Sequence, residues 1–399
     1  MSGRALRICM LTTFYPPYHF GGDAVLVQRL VRALELRGHE VHVVHNLDAY
    51  RLLGGRHPDE PAPPHVHRLR NRFPFSALLL SQQTGRPGLY SGRIESILQP
   101  GRFDVLHFHN VSLIGGPQVL SCGEGIKLYT AHEHWLICPT HALWKFNREP
   151  CRKKNCFTCT IHSRRPPQLW RYWPGIRGAL GHLDALLCPS RFTLQRHRAE
   201  GIAARLVHLP HFLPAVEQVA KDPAATPYFL VVGRLEKLKG VQTLIPLLAR
   251  YPGAELWIVG RGDYEEHLHR LARGVPSVRF LGHRSQEQLQ KLYRHALALI
   301  VPSLCEEVFG LVMLEAFAQA TPVVARRRGS LTEIVEESGG GLLYSDRNDL
   351  LQALNRLQNN PELRRELGAK GRQALSDRWS EETHVGAYLA LIAELERRG

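Results

Sequence analysis

The sequence lacks any apolar run long enough to cross a membrane. Its longest apolar stretches, such as residues 297–304, are far shorter than the roughly 20 residues that a transmembrane helix needs. Residues 1–17 hold a short apolar run behind a basic residue but no small-residue cleavage site, so they favour a first strand over a signal peptide. These absences make a cytoplasmic location the expectation.

Acidic residues are scarce relative to basic ones. The 399 residues include 51 Lys and Arg but 36 Asp and Glu, which gives a formal net charge of +15. A field of this sign attracts phosphates on nucleotides, on nucleic acids or at an anionic membrane surface. A genome that favours arginine codons would produce the same excess. The length suits two domains, and 44% hydrophobic residues are typical of a globular enzyme.

The dinucleotide fingerprint G-x-G-x-x-G is missing from the first strand-to-helix turn, so a nicotinamide cofactor is poorly supported. What stands there is Gly21 and Gly22. Two glycines before a helix let the backbone approach a ligand closely, and a helix start favours an anion. An ordinary tight turn is the better explanation of this pair when it is taken alone.

Short apolar runs alternate with amphipathic helices along most of the chain, which predicts an α/β protein with parallel sheets. A Pro- and Ala-rich linker at 214–227 separates two doubly wound, Rossmann-like domains, 1–213 and 228–376, with the ligand expected in the cleft between them. We expect residues 377–399 to form a closing helix that packs back on the N-terminal domain. An insertion at about 133–180 shows no βα unit.

Two cations follow the first strand of the second domain. Arg234 and Lys239 lie in the segment GRLEKLKG, between Gly233 and Gly240. Cations at the carboxyl end of a strand, beside a helix start, are suited to bind a diphosphate. Two solvated surface charges are the plainer alternative.

Carboxylates stand in the apolar segment LCEEVFGLVMLEA. Glu307 falls in the loop after a buried strand, and Glu315 falls in the helix that follows. The amides from Phe309 through Gly310 to Leu311 lie at that helix start, where they can receive a phosphate. The alternative for Glu315 is an ordinary acid on a helix surface.

The sequence resembles glycosyltransferase family 4 over nearly its whole length. The resemblance rests on the N-terminal glycine pair, on GRLEKLKG, on VGRGD at 259–263, and on the E-x7-E spacing of Glu307 and Glu315 before TPVVA. It implies the GT-B fold and a retaining enzyme that uses a nucleotide-activated sugar. UDP is the default donor nucleotide, and the acceptor is a glycan, a lipid-linked molecule or a small molecule.

The resemblance also implies roles for individual residues. Arg234 and Lys239 would neutralise the leaving diphosphate, Glu307 would hold a hydroxyl of the donor sugar, and Glu315 would hold the ribose. His132 would lie near the reacting carbon on the acceptor side. The complete donor set is Gly21, Gly22, Gly233, Arg234, Lys239, Gly262, Glu307, Phe309, Gly310, Leu311 and Glu315.

The sequence departs from the family pattern after TPVVA. Arg326, Arg327 and Arg328 replace the expected residues, and Gly329 alone matches the usual glycine pair, which affects the sugar and acceptor contacts. No D-x-D motif is present, and we expect no catalytic metal.

Four clustered cysteines are the sharpest local feature. Cys138, Cys151, Cys156 and Cys159 end in a C-x2-C pair, a spacing that favours a tetrahedral structural zinc. An iron–sulfur cluster uses the same ligands, and reduced thiols or a disulfide are the plain alternatives.

Aromatic and basic residues alternate in two segments, 161–180 and 67–80. This mixture suits a peripheral enzyme on the inner face of a membrane, a polyanionic acceptor, or an ordinary basic loop.

Two other functions compete with glycosyl transfer. A zinc-containing nucleic-acid-binding protein would leave both α/β domains unexplained, so no nucleic acid is expected. A GT-B nucleotide-sugar epimerase lacks the E-x7-E spacing.

Overall fold

A computed structural model describes residues 4–172, 175–220 and 226–398. Residues 221–225 of the expected linker, and Trp173 and Pro174 of the aromatic segment, lie outside this range. The chain forms two compact units. The first comprises the residues up to His141, Asn155–Pro210 and the residues from His384 onward; the second comprises Ala142–Lys154 and His211–Thr383. No helix among the described residues is both long and apolar enough to span a bilayer.

The first unit is built on a seven-stranded sheet in which every pairing is parallel. The strands at its centre are almost wholly buried and apolar, as expected for a parallel sheet covered on both faces. Its strands are β1 (Arg7–Leu11), β2 (Glu40–Asn46), β3 (Val66–Leu69), β4 (Val105–Phe108), β5 (Ile126–Thr130), β8 (Ala185–Cys188) and β9 (Leu206–His208), in the order β3-β2-β1-β4-β5-β8-β9. The numbers β6 and β7 belong to a two-stranded hairpin, Trp144–Lys145 and Glu149–Pro150, in the second unit.

Helices connect these strands. They are α1 (Gly22–Glu35), α2 (Leu47–Leu52), α3 (Pro74–Thr84), α4 (Ser91–Ile97), α5 (Cys156–His162), α6 (Gly175–Leu180) and α7 (Arg191–Ala199), with short 3₁₀ helices at Gly88–Tyr90, Gly116–Ser121 and Leu169–Tyr172. The apolar stripe of α1, which includes Leu26, Leu30 and Leu34, is buried as its spacing predicts.

The second unit repeats the same plan with six parallel strands. They are β10 (Tyr228–Val232), β11 (Glu255–Val259), β12 (Val278–Gly282), β13 (Ala298–Val301), β14 (Val323–Arg326) and β15 (Gly341–Tyr344), in the order β12-β11-β10-β13-β14-β15. Its helices are α8 (Ile245–Leu248), α9 (Glu265–Leu271), α10 (Gln286–His295), α11 (Leu311–Ala318), α12 (Gly329–Ser338), α13 (Arg347–Asn359) and α14 (Pro361–Arg378). The last helix, α15 (Glu381–Glu396), lies mostly within the first unit.

The strand orders fix where each unit can hold a ligand. In the first sheet β1 lies between β2 and β4, and in the second β10 lies between β11 and β13. The chain winds outward in opposite directions from these central pairs, so the loops after the two central strands part and leave a crevice at the carboxyl ends. The residues that follow β1 and β4, and those that follow β10 and β13, therefore form the candidate sites.

Most predicted elements are present, and the differences have local causes. β3 was not predicted, because its four residues include polar His67 and Arg68. The pattern of apolar and polar residues predicts a helix near 240–251, but the structure has a 3₁₀ turn there, Val241–Thr243, followed by α8. Pro246 lacks an amide hydrogen, which explains why a regular helix does not run through this segment.

Gly240 provides a sharp test of the second unit's packing. It ends the 3₁₀ helix Lys237–Lys239 with φ +78°, and an added Cβ would lie 2.9 Å from the carbonyl carbon of Pro302 and still closer to its oxygen. Gly274 has φ +75° with nothing within 4 Å of such a Cβ.

A side chain at either position would be strained by the positive φ, but only at Gly240 would its Cβ also clash with the backbone of Pro302. We expect Gly274→Ala to cost about 1 kcal/mol of unfolding free energy and Gly240→Ala about 3 kcal/mol or more. Equal losses in urea titrations of the two variants would contradict this account.

Candidate active site

An ion pair joins the two loops that leave β10 and β13 in the second unit. The ammonium of Lys239 lies 2.6 Å from Oε1 of Glu307. The loops are also joined through their backbones, because the amide of Leu304 donates to the carbonyl of Leu238 at 2.8 Å. Both charged side chains are largely buried, with 26% and 17% of the side chains exposed. The sheet therefore brings together two residues that the sequence predicted for the same donor.

Only one carboxylate oxygen of Glu307, Oε1, accepts hydrogen bonds from neighbouring side chains. The hydroxyl of Ser303 donates to Oε1 at 2.6 Å, the same oxygen that Lys239 contacts, while the hydroxyl of Ser330 donates to the Glu307 carbonyl at 2.8 Å. Within the described ranges, Oε2 has no hydrogen-bond partner. The carboxylate thus has a fixed orientation and one oxygen that can still accept a hydrogen from a hydroxyl.

The ion pair also keeps both side chains charged. Burial alone would raise the pKa of Glu307, but the charge of Lys239 and the hydrogen bonds from Lys239 and Ser303 bring it below its ordinary value. Burial likewise disfavours a charged Lys239, yet the Glu307 carboxylate raises the pKa of Lys239 above its ordinary value. Both groups are therefore ionised at neutral pH.

Arg234 lies at the carboxyl end of β10 and is far more open. Its side chain is 61% exposed, and its guanidinium contacts Glu236 at 2.7 Å. Glycines let two loops pack together behind it: a Cβ at Gly262 would lie 2.6 Å from the carbonyl carbon of Leu235, and the amide of Leu235 donates to Arg261 at 2.9 Å. Gly233 precedes Arg234 directly in this packed turn.

The start of α11 presents backbone amides without a side-chain cap. Gly310 occupies the cap position, and Leu311 is the first helical residue. By contrast, Ser285 caps α10 and Asp346 caps α13 through their side chains. Phe309 is buried, with its ring 5.2 Å from that of His211, so only its backbone can serve a ligand. Uncapped amides at a helix start favour an anion.

Glu315 has a partner that sequence reasoning missed. The hydroxyl of Tyr293, a fully buried residue of α10, donates to Oε2 of Glu315 at 2.9 Å. Burial, together with this carboxylate, raises the pKa of Tyr293 well above its usual range, so the tyrosine stays a donor. Nothing in the sequence marks Tyr293 as different from any other apolar helix residue.

The arginines that depart from the family pattern follow β14. Arg326 donates through Nε to the carbonyl of Pro302 at 3.3 Å, and its guanidinium lies over the ring of Tyr344. Arg327 forms an ion pair with Glu336 at 3.1 Å. Arg328 stands at the cap position of α12 without a capping side-chain bond. Arg326 thus braces the loop that precedes Glu307.

In the first unit, the glycine pair opens α1. Gly21 takes the cap position with extended backbone and no capping side chain, and Gly22 is the first helical residue. The carbonyl of Gly21 lies 3.1 Å from Nδ1 of His19. The first helix therefore also begins with uncapped amides, with Asp23 in its first turn.

His132 follows β5, is half-buried, and adjoins a chain of two buried residues. Its Nε2 is 2.9 Å from Nδ1 of His109, and Nε2 of His109 is 3.3 Å from the sulfur of Met10. A thioether accepts but cannot donate, so the proton of His109 belongs on Nε2 and its Nδ1 accepts from His132. Burial lowers the pKa of His132, with Asp23 and Glu133 acting in the opposite direction. In neutral His132, Nδ1 is then the hydrogen-bond acceptor.

A third histidine lies beside this chain, with its ring centroid 4.0 Å from that of His109. His107 lies 2.8 Å from the hydroxyl of Thr130, and its Nδ1 is 3.2 Å from the hydroxyl of Tyr388 in α15. Burial lowers the pKa of His107 well below its usual range. Sequence reasoning assigned no role to His107 or His109. The signal was the alternation HFH at the end of a strand, which places both side chains on one face.

The four predicted zinc ligands are not gathered in this structure. Among the described residues, no group of three or more His, Cys, Asp or Glu side chains is placed to hold a metal ion. Cys156 and Cys159 lie three residues apart on α5, and Cys138 lies 3.3 Å from the hydroxyl of Thr140. Burial lowers the pKa of Arg171 to about 10, and the thiols of Cys138 and Cys156 oppose that decrease.

Solved structures share this fold. The sucrose-phosphate synthase of Thermosynechococcus elongatus has a TM-score of 0.75 with 21% identity, over 99% of this chain and 100% of that one. Anabaena HepE in complex with UDP-glucose has a TM-score of 0.64 with 16% identity, over 99% and 100%. At these identities the likeness establishes the fold, which is that of the GT-B enzymes.

Relatives in sequence are glycosyltransferases. The GDP-mannose-dependent monoacylated alpha-(1-6)-phosphatidylinositol monomannoside mannosyltransferase of Corynebacterium glutamicum is 32% identical over 57% of this chain and 68% of that protein. The phosphatidyl-myo-inositol mannosyltransferase of Mycobacterium leprae is 28% identical over 90% of both chains. A lipopolysaccharide core biosynthesis glycosyltransferase of Rhizobium meliloti is 34% identical, over 45% of this chain and about half of that protein.

Two family profiles divide the chain between them. The profile described as Glycosyltransferase Family 4 matches residues 20–214, and the profile described as Glycosyl transferases group 1 matches residues 216–374. Together with the relatives and the fold, these matches show that the chain belongs to glycosyltransferase family 4 and is a glycosyltransferase.

Proposed function

We propose that this glycosyltransferase moves a sugar from a nucleoside diphosphate sugar to an acceptor, with retention of the anomeric configuration. The observation that carries the proposal is the Lys239–Glu307 pair, which places a cation for a diphosphate beside a carboxylate with one open oxygen. An ammonium has three hydrogens, so Lys239 can maintain its hydrogen bond to Glu307 and still donate to a phosphate. Glu307 Oε2 would then accept from a hydroxyl of the donor sugar.

The reaction needs stabilisation of the leaving group. As the bond from the sugar to the diphosphate breaks, negative charge grows on the leaving oxygen. Lys239, Arg234 and the uncapped amides at the start of α11 would receive that charge. This set neutralises a diphosphate without a divalent ion, so no catalytic metal is part of the proposal. Glu315 would accept from the ribose beside the hydroxyl of Tyr293.

The acceptor side is assigned to the first unit. His132 follows β5, and its contact with His109, which in turn lies against Met10, orients the imidazole ring. UDP is the proposed donor nucleotide, because structural neighbours bind UDP and UDP-glucose. A lipid-linked acceptor is favoured by relatives that are named for phosphatidylinositol and lipopolysaccharide substrates, with a glycan or small molecule as the alternative. A lipid-linked acceptor would place the enzyme peripherally at the inner face of a membrane.

The two cations make the proposal testable. We expect Arg234→Ala and Lys239→Ala each to lower sugar transfer about 100-fold, because each removes a group that stabilises the departing charge. A panel of UDP-, GDP- and ADP-sugars identifies the donor, and proton NMR of the product reports its anomeric configuration. Lys237→Ala, from the same 3₁₀ helix, is the matched control and should retain activity.

Folding is checked by the thermal midpoint, which the cognate diphosphate should raise in the parent protein. Near-native turnover in both folded alanine variants would refute the role of these cations, and inversion of configuration would refute retention.

The ion pair also predicts a pH dependence of stability. The folded-state pKa of Glu307 lies below its ordinary value of 4.5, so its contribution is present above that pH and is lost as the pH falls through the lowered pKa. We expect Glu307→Gln to lower the unfolding free energy by about 1–3 kcal/mol at neutral pH, because it leaves Lys239 without its counter-charge. The gap between parent and variant should narrow below about pH 4.5.

The control for this measurement is Glu362→Gln, which removes a solvent-exposed pair with Arg365 and should change stability by at most about 0.5 kcal/mol. A gap for Glu307→Gln that stays constant down to about pH 3 would show that the carboxylate is not the source of the effect.

A structural zinc at Cys138, Cys151, Cys156 and Cys159 is proposed from their spacing. Four thiolates around Zn²⁺ carry net negative charge, and Arg171 is a half-buried cation under the electrostatic influence of Cys138 and Cys156. We expect about one zinc per chain by mass spectrometry of protein purified without chelators, and much less after Cys156→Ser.

Cys122→Ser, at a half-buried thiol outside the cluster, should keep the metal. Less than about half an equivalent of zinc in the parent protein would refute the zinc proposal. The brown absorbance of an iron–sulfur cluster would instead show that the cysteines hold that cluster.

A further inference from the structure

Exposed apolar side chains are concentrated in two segments of the first unit. Among the described residues, fourteen large apolar side chains are exposed, and nine of them lie in 73–89 and 157–172. These nine are Phe73, Phe75, Leu79, Leu80, Leu89, Phe157, Ile161, Leu169 and Tyr172; we call them the α3 surface. Single exposed apolar residues are normal, but a concentration of this kind marks an interaction site.

The helix at its centre is apolar on both sides. From Pro74 to Leu80, every residue of α3 except Ser76 is apolar. Ala77 and Leu78 face the core, while Phe75 is 63% exposed on the other side. A helix that met only water on its outer side would carry polar residues there. The outer side of α3 is therefore built for something less polar than water.

The two segments pack against each other. The side-chain amide of Gln82 in α3 donates to the backbone carbonyl of Pro166 at 3.1 Å. At the end of the helix, Gly85 packs so tightly on Trp170 that an added Cβ would lie 2.7 Å from the indole ring. Within the second segment, the rings of Phe157 and Tyr172 are 6.1 Å apart. These contacts hold α3 against the segment that contains Leu169–Tyr172.

The two segments that carry this surface contain basic residues but no acidic ones. Residues 61–94 contain five arginines and no Asp or Glu, and residues 155–172 contain three arginines and no Asp or Glu. Some of these cations are already engaged: Arg70 pairs with Asp59, and Arg171 donates to the carbonyls of Trp135 and Leu136. The exposed ones are Arg72, Arg86, Arg93, Arg164 and Arg165.

We propose that the α3 surface docks on an anionic lipid membrane. Exposed aromatic and aliphatic side chains would enter the boundary between headgroups and acyl chains, and the surrounding arginines would contact lipid phosphates. Charge complementarity selects this occupant, because two acid-free segments converge on one apolar surface. The inference deepens the proposed function in one respect, since it would bring the acceptor-side unit to a lipid-linked acceptor. The surface itself contains no residue of the proposed donor site.

The test is co-sedimentation of the full-length protein with vesicles. We expect binding to phosphatidylcholine vesicles that contain phosphatidylglycerol, little binding to phosphatidylcholine alone, and loss of binding as salt increases. The double variant Phe73→Ser/Phe75→Ser and the double variant Arg72→Glu/Arg86→Glu should each weaken binding about tenfold or more. Leu36→Ser, at a side chain 84% exposed at the end of α1, and Arg397→Glu in the last residues are the matched controls and should bind like the parent.

The outcomes separate this inference from the enzymatic proposal. All variants should keep the thermal stabilisation by a nucleoside diphosphate, because none of the changes touches the second unit. Equal binding to neutral and anionic vesicles, or double variants that bind like the parent, would overturn the inference even if sugar transfer is confirmed. A dimer that the phenylalanine changes dissolve, with no vesicle binding, would also overturn it. Vesicle binding without any nucleotide effect would leave the docking surface standing and refute the donor site.

Discussion

The contact between Lys239 and Glu307 is the interaction on which the candidate site depends. Its partners are 68 residues apart in the sequence and meet only because β10 and β13 are neighbours in a parallel sheet. The backbone bond from Leu304 to Leu238 and the absence of a side chain at Gly240 bring the two loops close enough for a 2.6 Å contact. Because burial opposes ionisation of either group alone, each keeps the other charged.

The two sheets share a topology but not an electrostatic design. At the carboxyl edge of the first sheet, buried His107 and half-buried His132 have lowered pKa values and are neutral. At the same edge of the second sheet, Arg234 and Lys239 carry charge. Neutral imidazoles are suited to exchange hydrogen bonds with hydroxyls, whereas fixed cations are suited to a phosphate. This contrast is what the proposed division between acceptor and donor would require.

Sequence patterns predicted the fold well because burial of a parallel strand leaves a continuous apolar run that is easy to detect. β3 was not predicted because its short segment carries polar residues. The helix predicted at 240–251 does not form as a single regular helix because Pro246 interrupts it. For the site, spacing identified Glu307 and Glu315 as a pair. The hydroxyls that orient them, from Ser303 and Tyr293, could not be found this way. Such contacts depend on the relative rotation of packed helices, which no local pattern in one sequence encodes.

The net charge of +15 is not accounted for by the candidate donor site. Arg234 faces Glu236, and Lys239 faces Glu307, so the two cations already have carboxylate partners. Even Arg327, close by in the sequence of the second unit, pairs with Glu336. Attraction of the proposed nucleotide donor would therefore depend on local geometry and on helix-start amides more than on a broad field. Much of the excess charge lies instead in stretches such as 61–94, where five arginines have no acidic residue within the segment, although Arg70 pairs with Asp59 outside it. The basic composition and the proposed diphosphate site thus have separate physical origins, and the excess charge has to be explained by the surface on which it is found.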